Sequence, residues 1–401
     1  MTESPPAAAT DSRPGLPIIG VVGAGIMGSG IAQLALGAGH EVVLHDVDDA
    51  ALERAGHRIA DGLGRRAAKA LADADGIDAW VAERLARLRT SVVLEQLGDE
   101  AGVIVEAALE SLDLKRTIFR ILDGIADPTV MLASNTSALS IADIAAATAR
   151  PERVLGLHFF NPAPVMRLVE VVAGPATAPS VADAAADLVG AWGRTAVRSA
   201  DAPGFIVNRI NRPFTLRALR LLEDGVADVA AIDAAIRDAG FPLGPFELMD
   251  LTGIDVTYAA STAIWEGLGR PDRLRPSPLQ AERIAAGRLG RKTGEGFHRY
   301  ADGKRLDPDP PPSGGDSAPD ADAIRERILL PLVDEAWRAR DEGVASADDI
   351  DIALRLGASH PIGPFERTRE LGGPGAVAAR LRALAAGDPS FAPSEALVRA
   401  G

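Results

Sequence analysis

The stretch Ile18-Ile19-Gly20-Val21-Val22-Gly23-Ala24-Gly25-Ile26-Met27-Gly28 decides the fold of this chain. Its first half reads as a short buried strand. Its second half is a glycine turn that opens a helix running to about Gly37. Gly39 and His40 turn the chain, and Glu41 to His45 read as a second strand ending at Asp46. Strand, glycine turn, helix, strand and terminal acid together make a βαβ unit of the dinucleotide-binding kind. Gly23 permits the tight turn, Gly25 lets the backbone approach a pyrophosphate, and Gly28 lets helix and strand pack closely. The helix N-terminus, with Ile26 and Met27 in its first turn, attracts phosphate charge. Asp46 suits both ribose hydroxyls of NAD and repels a 2′-phosphate. No arginine follows it directly, so NAD is expected over NADP.

Further strand-like runs at Val103-Ile104-Val105, Val130-Met131-Leu132 and Val154-Leu155 alternate with helical stretches, which predicts a doubly wound α/β sheet. The pattern changes after Asp201-Ala202-Pro203-Gly204-Phe205, where apolar residues begin to recur at helical spacing. Two segments of this helical region repeat each other. Glu223-Asp224-Gly225-Val226-Ala227 matches Asp341-Glu342-Gly343-Val344-Ala345, and Ile232-Asp233 matches Ile350-Asp351. Phe241-Pro242-Leu243-Gly244-Pro245-Phe246-Glu247 matches His360-Pro361-Ile362-Gly363-Pro364-Phe365-Glu366. An offset that stays at 118 to 119 throughout signals an internal duplication. The expected organisation is a disordered tail (1–16), a nucleotide-binding domain (17–202), a helical domain (203–300), a proline-rich linker (301–320) and a second helical domain (321–401).

Catalytic chemistry points to Gly156-Leu157-His158-Phe159-Phe160-Asn161-Pro162 and the run that follows it. His158 lies on one short apolar strand and Glu170 on the next, expected from Val165 to Val172. A reversal near Pro164 sets the two opposite each other, within reach across an antiparallel pair. A carboxylate that orients an imidazole makes a general base. The chain has six histidines. The other five, His40, His45, His57, His298 and His360, fall in loops, element ends or exposed helix patterns and are read as solvated. Ser134-Asn135-Thr136-Ser137 follows a strand and is expected to face the site, with Asn135 toward the cofactor and Ser137 toward the substrate. Ser140-Ile141-Ala142-Asp143 caps the next helix. Glu110 is expected to line the cofactor cleft, with Lys115 nearby. Asn208, polar within an apolar helix start at the domain boundary, is a further site candidate. Gly290-Arg291-Lys292-Thr293-Gly294-Glu295-Gly296-Phe297 reads as a tight structural segment.

Bulk composition narrows the partners. A net charge of −14 over 401 residues argues against nucleic acid as a main partner. With no cysteine, thiolate metal sites, disulfides and cysteine nucleophiles are excluded. No ligand cluster suggests a metal. No run approaches the length of a membrane span and Met1 to Pro17 has no apolar core, so a cytoplasmic protein that does not engage membranes is expected.

GAGIMGSGIAQ, SNTSALSI, GLHFFNPAPVMRLVEVV, DAPGFIVNRI and GRKTGEGF, in this order, resemble the L-3-hydroxyacyl-CoA dehydrogenase family from about Ile18 to Tyr300, with 3-hydroxybutyryl-CoA dehydrogenases among its members. The resemblance implies NAD-linked interconversion of (3S)-3-hydroxyacyl-CoA and 3-ketoacyl-CoA, as in β-oxidation of fatty acids. It implies His158 as general acid/base paired with Glu170, with Ser137 and Asn208 on the reacting oxygen. It also puts the basic stretch Arg65-Arg66-Ala67-Ala68-Lys69 near the CoA nucleotide, so Lys69 is a candidate phosphate contact. No hydratase-like domain precedes the nucleotide fold, so a single activity is expected. The second helical copy has Glu326 where the first has Asn208, which implies one active site per chain. Family dimers pair through the helical domain, so this chain is read as a homodimer, or as a monomer whose second copy imitates that interface. Two other readings compete: a dehydrogenase of a CoA-free hydroxy acid or sugar acid, and a crystallin-like protein that binds NAD without catalysis.

Overall fold

A computed structural model describes residues 15–71, 74–306 and 320–401. The expected N-terminal tail up to residue 14, and residues 307–319 of the expected linker, lie outside them. The chain divides into two compact units, Met1–Asp201 and Ala202–Gly401.

The first unit is built on one eight-stranded sheet: β1 (Ile19–Val22), β2 (Val42–His45), β3 (Leu88–Ser91), β4 (Val103–Glu106), β5 (Met131–Ser134), β6 (Val154–Phe159), β7 (Leu168–Ala173) and β8 (Thr195–Ala200). Their order is β3-β2-β1-β4-β5-β6-β7-β8. The first six run parallel, β7 is antiparallel to β6, and β8 is parallel to β7. The chain winds outward from β1 through β2 to β3, then crosses to β4 on the other side of β1. That reversal is the topological switch point, where ligands bind beyond the carboxyl ends of the strands.

The central strands β1, β2, β4 and β5 are buried throughout, consistent with helices covering both faces of a parallel sheet. Ile19, Val21, Val42, Leu44, Val103 and Val105 join Ile31, Leu34, Ile59 and Leu63 from the flanking helices in one core cluster. At about 1.5–3 kcal/mol per fully buried aliphatic side chain, this burial is the main force holding the sheet to its helices. β3 and β8 escape the sequence reading because they are edge strands. Arg89 and Thr90 of β3 are exposed, and so is Arg198 of β8, so neither carries a continuous apolar run. The strand expected from Val165 begins at Leu168 instead. The amides of Val165 and Met166 close onto the Pro162 carbonyl at 2.9 and 3.0 Å, which makes those two residues part of the turn.

The second unit is helical. Its first part holds helices Val207–Ile210, Arg212–Glu223, Val229–Asp238, Pro245–Thr252, Ile254–Gly267 and Pro278–Ala285. Its second part holds Ala321–Asp341, Ala347–Gly357, Pro364–Glu370, Pro374–Ala385 and Glu395–Ala400. The duplication has a physical signature. In each copy an aspartate accepts the first amides of the Pro-Phe-Glu helix: Asp233 from Phe246 (2.9 Å) and Glu247 (3.3 Å), Asp351 from Phe365 (2.7 Å) and Glu366 (3.1 Å). The glutamate of the same motif reaches back to the capping glycine, Glu247 to Gly244 at 2.9 Å and Glu366 to Gly363 at 2.8 Å. A side chain at either glycine would collide with the aspartate. The repeated motif is thus a helix cap clamped by an acid from the preceding helix.

The two copies pack on each other through helices Arg212–Glu223 and Ala321–Asp341. His360 Nε2 lies 2.9 Å from Asn211 Oδ1 across this contact, with its ring against Phe214 and Phe241. Where a linker is expected to start, Tyr300–Ala301 and Lys304–Arg305 form a small antiparallel hairpin. Asp302 (φ 50°) and Gly303 (φ 72°) make its turn, a combination the Asp-Gly pair adopts readily.

The histidines need correction. His40, His45, His298 and His360 are buried rather than solvated, and His57 is exposed. His40 bridges the Pro17 carbonyl (2.8 Å) and the Trp192 indole N–H (3.0 Å). His45 bonds the Ser91 carbonyl at 3.0 Å, and His298 bonds Asp233 at 2.8 Å. Each satisfies its polar nitrogen with a partner distant in sequence, which a reading of local polarity misses.

Candidate active site

β6 and β7 pair with His158 directly opposite Glu170. His158 Nδ1 lies 2.5 Å from Glu170 Oε2. The histidine is 5% exposed and the glutamate 0%. The strand itself aims the imidazole. Successive side chains point to opposite faces. Phe159 is anchored in the core against Trp192, ring centroids 6.1 Å apart, so His158 projects from the other face. There the Phe160 ring lies 4.5 Å from the imidazole. Asn135 Oδ1 accepts the Phe159 amide at 2.9 Å and so fixes the end of β6 beside His158. A neutral imidazole that donates Nδ1–H to Glu170 carries its lone pair on Nε2.

The loop after β5 is organised around Glu110. Its Oε1 accepts the Thr136 hydroxyl (2.7 Å), the Ser137 amide (2.9 Å) and the Ser137 hydroxyl (3.3 Å). Lys115 stands 3.4 Å from its other oxygen. Burial opposes ionisation of Glu110, but the hydrogen bonds from Thr136 and Ser137 and the Lys115 charge outweigh it, and its carboxyl sits below the ordinary value. Ser137 is exposed and Asn135 half-buried. Ser134, expected in the loop, is the last residue of β5, buried, and donates to Glu106 Oε2 at 2.6 Å. Lys115 is 1% exposed, and Glu106 takes its ammonium with both oxygens at 2.7 and 2.9 Å. Lys115 thus ties Glu106 of β4 to Glu110 of the loop.

The glycine turn fits a dinucleotide. Gly23 has φ +100°, and a Cβ there would lie 2.7 Å from the Ala107 carbonyl oxygen in the loop leaving β4. A Cβ on Gly28 would lie 1.8 Å from the Gly23 oxygen. A Cβ on Gly25 meets nothing within 4 Å, so the chain keeps glycine where its own atoms do not require it. An open backbone at a helix N-terminus is the cradle a pyrophosphate needs. Asp46 follows β2 and accepts the Ala24 amide at 2.7 Å, which ties the acid to the turn. Around this cradle Ile26 is 66% exposed, Val47 86% and Leu109 79%. These apolar side chains, all at carboxyl ends of central strands, suit the flat faces of a dinucleotide's rings. Arg58, which the sequence reading passed over, bonds the Ala24 carbonyl (2.6 Å) and Ser29 Oγ (3.1 Å) and braces the loop from the next helix.

Lys69 is exposed at the end of helix Asp49–Ala68, beside Arg65 and Arg66 of its last turn. Asn208 is half-buried in the second unit, on helix Val207–Ile210. The segment from Gly290 to Phe297 is structural. The amides of Phe297 and His298 bond Asp250 at 2.9 and 2.8 Å, and Tyr300 Oη donates to the same carboxylate at 3.0 Å. Among the described residues no cluster of three or more histidines or carboxylates is placed to hold a metal ion, and no helix is long and apolar enough to cross a membrane.

Comparison with known proteins agrees with the fold. Residues 18–202 match the NAD-binding domain of 3-hydroxyacyl-CoA dehydrogenases, and residues 204–300 and 324–400 each match their C-terminal domain. The chain therefore belongs to the 3-hydroxyacyl-CoA dehydrogenase family, with one NAD-binding domain and two copies of the helical domain. A 3-hydroxyadipyl-CoA dehydrogenase of Escherichia coli K12 is 43% identical over 70% of this chain, a match that spans 58% of that protein's length. The mitochondrial hydroxyacyl-coenzyme A dehydrogenase of Rattus norvegicus is 41% identical over 70% of this chain and 90% of its own. The crystal structure of 3-hydroxybutyryl-CoA dehydrogenase from Escherichia coli K12 superposes with a TM-score of 0.85 at 33% identity, covering 96% of this chain and 98% of that one.

Proposed function

We propose that this chain catalyses the NAD-dependent oxidation of (3S)-3-hydroxyacyl-CoA to 3-ketoacyl-CoA and its reverse, with His158 as general acid/base. The observation that carries the reading is the buried His158–Glu170 pair, in register on adjacent strands at the carboxyl end of β6. Bound NAD supplies the hydride acceptor. In oxidation, His158 Nε2 takes the proton of the 3-hydroxyl. The imidazolium that forms is offset by Glu170 through Nδ1, and the burial of both side chains strengthens that interaction. In reduction the protonated imidazole returns that proton to the developing alkoxide. Ser137, its loop set by Glu110, and Asn208 hydrogen-bond the reacting oxygen. Asn135 acts through β6, whose end it pins beside His158. Gly23, Gly25, Ile26, Met27 and Gly28 cradle the pyrophosphate, Asp46 binds the adenosine ribose, and Lys69 meets a CoA phosphate. Glu110 and Lys115 shape the cofactor side of the loop.

The second helical copy occupies, on this reading, the face through which family dimers pair, and the chain works as a monomer in the cytoplasm. Light scattering that gives a stable dimer would count against this assignment. The principal test is NADH consumption with acetoacetyl-CoA, compared with NADPH as cofactor and with free acetoacetate as substrate, for the wild type and His158→Ala. Turnover that requires NADH, CoA and His158 supports the reading. Equal turnover of the free acid, or full activity of His158→Ala, overturns it. Because one relative is named for 3-hydroxyadipyl-CoA, the acyl series then includes dicarboxylic as well as unbranched chains.

A further inference from the structure

Asn208 lies on a helix of four residues, Val207–Ile210. So short a helix holds its orientation poorly through its own backbone bonds. Two arginines beside it supply the anchoring. Arg212 Nε bonds the Asn208 carbonyl at 2.8 Å and its NH1 reaches Ser261 Oγ at 3.2 Å, both within the first copy. Arg209, the next residue after Asn208, is fully buried and points into the second copy. Its Nε bonds Glu335 Oε1 at 2.9 Å and its NH1 lies 2.6 Å from Glu342 Oε2. Arg273 holds the other side of Glu335 at 2.7 Å.

The two copies do not reciprocate. At the repeat offset, Asn208 corresponds to Glu326, which pairs with Arg380 on the surface, 2.9 Å away. Glu335 corresponds to Arg217, which bonds Ser390 Oγ at 2.7 Å. The acidic grip is therefore made in one direction, from the second copy onto the residue next to Asn208. Burial lowers the basicity of Arg209, but the hydrogen bonds and charges of Glu342 and Glu335 outweigh it and hold it above the ordinary value.

We infer that Glu335 and Glu342 of the second copy are positioning residues for the reaction, holding Asn208 in place by clamping Arg209. The second copy then contributes to turnover as well as to assembly. This rests on the reading that Asn208 contacts the substrate.

The test is a double-mutant cycle of Glu335→Gln with Asn208→Ala, read as kcat and KM for acetoacetyl-CoA and for NADH at a temperature where every variant is folded. Glutamine keeps the shape and one acceptor but removes the charge. The clamp predicts a fall of about tenfold in kcat/KM for acetoacetyl-CoA, the scale of a modest misplacement of a substrate-positioning group, with KM for NADH unchanged. In the Asn208→Ala background the same substitution then has little further effect. An additive loss in that background, an unchanged kcat/KM, or an equal loss for NADH overturns the clamp while leaving Asn208 its role. Full activity of Asn208→Ala overturns both. If Glu335→Gln does not fold, Glu342→Gln, whose glutamate is half exposed, carries the same cycle with the same deciding outcomes.

Discussion

Replacing Glu170 by glutamine removes one charge and almost no volume. The carboxylate lies 2.5 Å from His158 Nδ1 and is closed to solvent, so no water screens the pair. On the proposed mechanism the imidazole gains a positive charge as it takes the hydroxyl proton. With charge centres about 4 Å apart and an effective dielectric near 20, a carboxylate attracts that charge by about 4 kcal/mol. A neutral amide forfeits this in the transition state and not in the ground state. At about 1.4 kcal/mol per decade, kcat falls by about a thousandfold. The glutamine N–H₂ can also turn toward Nδ1 and favour the tautomer that puts hydrogen on Nε2, which acts in the same direction. The assay is the initial rate of NADH consumption with saturating acetoacetyl-CoA, beside NADH binding to the same variant. Binding is expected to persist, because Glu170 supports β6 and β7 and not the glycine turn. A variant that keeps kcat within about tenfold, equivalent to about 1.4 kcal/mol, refutes the argument that this charge is coupled to the proton transfer.

Two glycines separate folding from cofactor binding. Gly25→Ala adds a Cβ that meets nothing within 4 Å, so it should fold normally and raise KM for NADH; Gly28→Ala drives a Cβ to 1.8 Å from the Gly23 oxygen and should lower the unfolding temperature sharply. Equal melting temperatures for the two variants would contradict this. Lys115→Met leaves Glu106 buried without its counter-ion and should destabilise by about 3–5 kcal/mol in urea unfolding. Burial, reinforced by nearby Arg367, lowers the pKa of His360 to about 3 from an ordinary 6.5, so the folded state holds it neutral while the unfolded state takes up a proton. Its stabilising effect is complete above pH 6.5 and is lost as pH falls toward 3, by at most about 1.4 kcal/mol per pH unit. His360→Gln, which keeps a donor for Asn211, should flatten the fall in melting temperature between pH 7 and pH 5. An unchanged slope shows that other groups carry it.

What could be read from the chain alone was whatever local pattern and spacing dictate. The βαβ unit was legible because each of its parts, from the strand at Ile19 to the acid at Asp46, has a local cause. The His158–Glu170 register was legible because an antiparallel pair joined by a short turn places equidistant residues opposite each other. The duplication was legible because both copies build the same cap with the same residue types. Other features depended on residues far apart in sequence and waited for the tertiary structure. β3 and β8 are strands because a neighbour offers them hydrogen bonds, and their own polar sequences do not announce it. The histidines at 40, 45, 298 and 360 look solvated until a distant carbonyl, indole, carboxylate or amide closes over each ring. That Lys115 is buried against Glu106 also appears only in the folded chain. Arg209 looks like one arginine among many until Glu335, 126 positions later, takes its guanidinium. Periodicity reports which face of an element is apolar, but the partner of a buried charge is decided only when the chain folds back on itself.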